Sequence, residues 1–91
     1  MFLVSLTIEA TPAAPLRNVE PDRAVSSFRR LAVAGDRLEH VSARAGPGRL
    51  YLGFFCLGTS RENATGNAQE LCRRALAGSP EFAGWKLLSP P

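Results

Sequence analysis

Ninety-one residues, 45% apolar and 21% charged, exclude a disordered chain and allow one domain, residues 1–91, with one modest core. Eight acids interleaved with eleven bases give a net charge of +3, and no basic run exceeds a pair, Arg29-Arg30 or Arg73-Arg74, so no nucleic-acid partner is expected. No run of roughly eighteen apolar residues occurs, and the apolar start from Met1 to Leu6 lacks a basic flank, so no membrane partner and no secretory signal are expected, and the expected location is cytoplasmic.

Residues 2–9 read as a strand. Phe2, Val4, Leu6 and Ile8 share an apolar face, and Leu3, Ser5, Thr7 and Glu9 share the other. Residues 10–20 are a loop, because Pro12, Pro15 and Pro21 forbid regular structure there. Its length, about eleven residues, is typical of loops with a function, here a gate at the mouth of a pocket.

Residues 21–34 read as a helix. Pro21 suits the first helical position, Glu20 and Asp22 favour the positive end of the dipole, and Ala24, Val25, Phe28, Leu31 and Ala32 form one apolar stripe. Gly35 is the expected stop. Residues 37–45 are the most polar strand and hence an edge, with Val41, Ala43 and Ala45 on one face and His40, Ser42 and Arg44 on the other.

Gly46-Pro47-Gly48-Arg49 turns the chain into Leu50-Tyr51-Leu52-Gly53-Phe54-Phe55-Cys56-Leu57. This run has no charge and is bounded by turn residues, the pattern of a strand buried on both faces. A four-residue turn sets Ala45 opposite Leu50, Ala43 opposite Leu52 and Val41 opposite Phe54. Residues 59–77 hold a second helix, with Thr59 and Glu62 at capping-box spacing and Ser60 as a rival cap. Its buried stripe is Ala64, Ala68, Leu71, Cys72 and Ala75, and Gly78 is the expected stop. Residues 85–88 form a short last strand, which Ser89-Pro90-Pro91 ends.

The order is βαββαβ. The expected fold is therefore α+β and ferredoxin-like: a four-stranded antiparallel sheet with two helices on one face. The first and third strands should be central. Element order and patterning resemble the dimeric α+β barrel superfamily, and that resemblance implies two sheets packed face to face.

The sheet face away from the helices should carry His40, Arg44, Tyr51, Gly53, Phe55, Leu57 and Leu3, with Ser5, Thr7, Ser42 and Glu9. Such an apolar patch is rarely left wet, and Gly53 leaves a dent at its centre. The leading reading is a small homodimer joined through this face, with room for an apolar small molecule. The alternatives are a cofactor-free oxygenase, isomerase or cyclase with His40 as acid–base group and Glu9 as its partner, and a module that docks a different protein. The plain role for His40 is an edge residue stacked on Phe55. A base-stacking platform is disfavoured, because glycine occupies the place of the second stacking aromatic.

Cys56 and Cys72 form no CxxC pair, and one His cannot complete a zinc site with them. No metal and no cofactor are expected, and both thiols should be buried and reduced. Ten Arg to one Lys, with abundant Ala, Gly and Pro, suggest a GC-rich bacterial source.

Overall fold

Alternating apolar residues from Phe2 onward build β1 (Phe2–Ala10). The computed structural model describes residues 1–88, so the Ser89-Pro90-Pro91 run lies outside the described residues. There follow α1 (Pro21–Leu31), β2 (Leu38–Gly46), β3 (Arg49–Cys56), α2 (Arg61–Gly78) and β4 (Trp85–Leu87). Single 3-10 turns occupy Ala34–Asp36 and Pro80–Phe82.

The sheet is antiparallel, in the order β2-β3-β1-β4. The two apolar strands are central and the polar β2 is an edge. β4 adds only three pairs, Ile8 with Leu87 through Ala10 with Trp85. Val4, Leu6, Ile8, Leu50, Leu52, Phe54 and Cys56 join Ala24, Phe28, Ala64, Ala68, Leu71 and Cys72 in one core, so both helices cover the same face. Phe28 meets Phe54 edge-on at 5.3 Å between ring centroids and Phe82 at 5.7 Å. Trp85 closes the end of that core, 6.1 Å from Phe82.

The β2–β3 register matches the expected one at all three apolar pairs. Gly46 pairs with Arg49, and Gly48 takes φ 63°, as the third residue of a turn with Pro47 second requires. A bulge between Leu38 and His40 alters the alternation. Leu38 has the parity of His40, yet the bulge returns it to the helix side, where it packs on the core. Ala45 is exposed despite facing the helix side, because the edge strand extends past its cover.

Three expectations about helix ends change. α1 ends at Leu31, not residue 34, and Ala32 is already extended (ψ 138°). Gly35 sits inside the following 3-10 turn, and it is Arg37, at φ 53°, that takes the left-handed conformation. The turn is held by Asp36, which accepts from the Val33 N–H at 2.9 Å and pairs with Arg74 of α2. At the start of α2 the cap is Ser60, whose Oγ accepts from the Asn63 N–H at 3.0 Å, rather than Thr59.

The loop over residues 10–20 is not a gate. Ala14 and Val19 are buried in the core. The Trp85 indole donates to the Leu16 carbonyl at 2.8 Å, and the Thr11 N–H donates to the Gly84 carbonyl at 2.9 Å. Gly84 has φ 78°, and a side chain there would stand 2.6 Å from the Ala14 backbone. Only glycine lets the loop lie this close. The loop's length serves to wrap the β4 edge.

A buried polar contact joins α1 to the 3-10 turn before β4: the Ser27 hydroxyl donates to the Glu81 carboxylate. Both residues are buried. Burial pushes the Glu81 carboxyl up. The Ser27 hydroxyl, its own backbone N–H, and Arg23 and Arg30 outweigh that and hold it below the ordinary range. Nearby Ser79 buries an Oγ with no partner among the described residues.

Candidate functional site

The pairing registers arrange the open face as rungs across β2, β3 and β1. The first is His40–Phe55–Leu3, the second Ser42–Gly53–Ser5, and the third Arg44–Tyr51–Thr7. Beyond the third, Arg49 pairs with Glu9. The face therefore grades from apolar at one end to charged at the other.

At the apolar end Leu3 is 46% exposed, while Phe55 is half-buried. His40 lies 5.8 Å from the Phe55 ring, tilted by 49°. Arg29 reaches round the sheet edge and donates to His40 Nδ1 at 3.3 Å, which leaves Nε2 free of protein partners among the described residues. Arg61, at the start of α2, lies 5.6 Å from the Phe2 ring and donates to the Leu3 carbonyl at 3.2 Å.

Gly53 leaves the middle rung without a side chain on its central strand. A Cβ there would meet Ser42 Oγ at 2.8 Å and the Leu3 side chain at 3.4 Å. Around it lies an open depression of about 560 Å³, bordered by Leu3, Phe55, Tyr51, Arg44 and the hydroxyls of Ser5 and Ser42. That is within the ordinary range for a small-molecule site, roughly 300–1,000 Å³. The Tyr51 ring leans away from it, over Gly46, where a Cβ would stand 2.9 Å from the ring. The Arg44 guanidinium sits over that ring at 5.1 Å.

Five of the seven expected site residues border the depression: Leu3, Arg44, Tyr51, Gly53 and Phe55. His40 and Leu57 do not border it, nor does any residue of the 10–20 loop. Leu57 lies past the end of β3, where its N–H donates to the Arg37 carbonyl at 2.9 Å. Glu9 is engaged by Arg49 at 3.0 Å and approached by Lys86 at 3.9 Å. It lies six β1 residues from the His40 rung, roughly 20 Å at strand rise, so no His40–Glu9 acid–base pair exists.

The thiols belong to the core. Cys56 and Cys72 are free and buried, and burial pushes the Cys72 thiol up to about 12. Burial, with Asp36 adding to it, also raises Cys56. Neither is a nucleophile near neutrality. Among the described residues, no group of three or more His, Cys, Asp or Glu side chains could hold a metal ion, and no helix is long and apolar enough to cross a membrane.

Sequence reasoning missed the Arg29–His40, Arg61–Leu3 and Ser27–Glu81 contacts. Only Ser27 left a trace, as the one hydroxyl beside Phe28 on an apolar stripe. Comparison with protein-family models, curated proteins and solved structures finds no match to the chain.

Proposed function

We propose that this chain is a ferredoxin-like assembly protein that pairs with a second copy through its open sheet face, as in dimeric α+β barrels, and encloses the depression at Gly53 as a small-molecule pocket. The observation that carries this reading is the Leu3–Phe55–Tyr51 surface. It stays uncovered on a sheet whose other face packs against two helices. The element order, and the central position of β1 and β3, support the fold name.

Size agrees. Four strands about 4.8 Å apart, with about 3.3 Å rise per residue, present roughly 500 Å² in projection. Side-chain relief raises the accessible area toward the ~800 Å² per partner of a standard interface. A two-fold axis needs only one self-complementary patch, and this face has apolar, hydroxyl and charged rungs in sequence. Two free buried thiols suit a reducing, cytoplasmic setting.

The test is mass in solution. Sedimentation equilibrium at micromolar concentration should return twice the 9.8 kDa of the chain. A monomer across the micromolar range removes the assembly reading. The pocket is tested separately by Gly53→Leu, which should fill the depression and leave the dimer intact.

A further inference from the structure

We infer that the depression at Gly53 takes a small amphipathic carboxylic acid, its carboxylate on Arg44 and its apolar body over Gly53 between Leu3 and Phe55. The inference rests on the pocket reading above and adds the chemical class of the ligand.

Arg44 sets the charge. It is the one cation bordering the depression. The other two open-face cations, Arg49 and Lys86, flank Glu9, at 3.0 and 3.9 Å. Arg44 has no carboxylate within 4.0 Å among the described residues, and its guanidinium rests over the Tyr51 ring. The guanidinium makes no side-chain hydrogen bond or ion pair among the described residues, so its forked donors are available, and their spacing matches the two oxygens of a carboxylate. One uncommitted cation suits one negative charge.

The hydroxyls set the orientation. The hydroxyls of Ser42, next but one to Arg44 on β2, and of Thr7, on the Arg44 rung, form no hydrogen bond among the described residues. Both can serve an anion at that end. At the other end Leu3 and Phe55 offer only carbon, and the floor at Gly53 has no side chain. A ligand polar throughout would waste the second half, and a hydrocarbon would leave Arg44 unmatched.

Self-association points the same way. Arg44, Arg49 and Lys86 against Glu9 leave each face at +2 (three minus one). Two such faces brought together repel, and an anion at each Arg44 reduces that repulsion.

The experiment is an NMR titration of the isotope-labelled full chain with benzoate and cyclohexanecarboxylate, each against its neutral carboxamide, with sedimentation run on the same samples. The acids should shift the amides of Ser5, Ser42 and Gly53. The carboxamides should bind roughly ten-fold more weakly, and Arg44→Gln should erase that difference. Arg44→Lys, which keeps charge but not the fork, should fall between. Gly53→Leu should abolish all open-face shifts. Equal binding of acids and amides, or an Arg44→Gln protein that keeps its preference for the acid, overturns the inference. So does an absence of shifts on this face. A dimer with no acid response sinks the ligand and spares the assembly; a monomer with acid-selective shifts does the reverse.

Discussion

Replacing Phe55 by Glu should dissociate the proposed dimer without unfolding the chain. Phe55 sits on the first rung, on the central strand β3, and is half-buried in a single copy. Burying a whole Phe side chain contributes ~1.5–3 kcal/mol, so the interface takes about half of that per copy. The substitution also places a carboxylate in the contact, at ~3–5 kcal/mol if it stays unpaired. Two-fold symmetry counts both effects twice. Even if water enters and halves the sum, the loss is about 4–6 kcal/mol, roughly three to four orders of magnitude in Kd. The monomer tolerates the change, because the new carboxylate lies beside His40 and Arg29. Sedimentation velocity should show the monomer at concentrations where the wild type is dimeric, with the thermal midpoint nearly unchanged. Leu3→Glu, at an exposed site of the same rung, should act alike, whereas Ser26→Glu on the outer side of α1 should leave the dimer whole. A Phe55→Glu protein that remains a dimer refutes the argument, since any face-to-face packing must cover that ring.

The thiols should label slowly in native protein and fast after denaturation; with Cys72 pushed up to about 12, only about one thiol in ten thousand is ionised at pH 8, four units lower. Glu81 should contribute to acid unfolding: its folded value lies below 4.5, so the unfolded chain takes up the proton first, and stability falls as pH drops from about 4.5 through the folded value. Glu81→Gln should flatten that part of the pH–stability curve, and Ser27→Ala should cost about 1–3 kcal/mol in urea unfolding because it leaves a buried carboxylate short of a donor. Ser79→Ala should be neutral or stabilising by up to ~1 kcal/mol, since it removes a buried hydroxyl without a partner while the backbone bond from its N–H to Ala75 remains.

What the sequence made legible was whatever local pattern decides. Alternation in β2 and β3 and the Pro-Gly turn at residues 47–48 set a β2–β3 register that the structure keeps at every expected pair. The end of α1 was not legible. Gly35 is an attractive stop, but the chain leaves the helix at Ala32 because Asp36 gathers the Val33 N–H and the Arg74 guanidinium, the latter 38 residues away. The Ser27–Glu81 contact spans 54 residues and is invisible for the same reason. The prolines marked residues 10–20 as irregular, but nothing local announced Gly84 and Trp85 as what the loop packs on.

The candidate site shows the same division within a single face. Gly46 and Gly53 are both open-face glycines; the sequence assigns the first to the turn and the second to a dent. The structure separates them by which way one ring falls. Tyr51 lies over Gly46, so that gap is filled, and Arg44 above the ring holds it there. Gly53 has only the Ser42 hydroxyl and the tip of Leu3 at its margins, so that gap stays open. Had Tyr51 leaned the other way, the depression would be a packed aromatic surface and Arg44 would stand over Gly46. The sequence placed the dent at Gly53; that the dent stays open and that Arg44 stays free share one cause. It lies in the rotamer of a single side chain, which alternation and spacing do not encode.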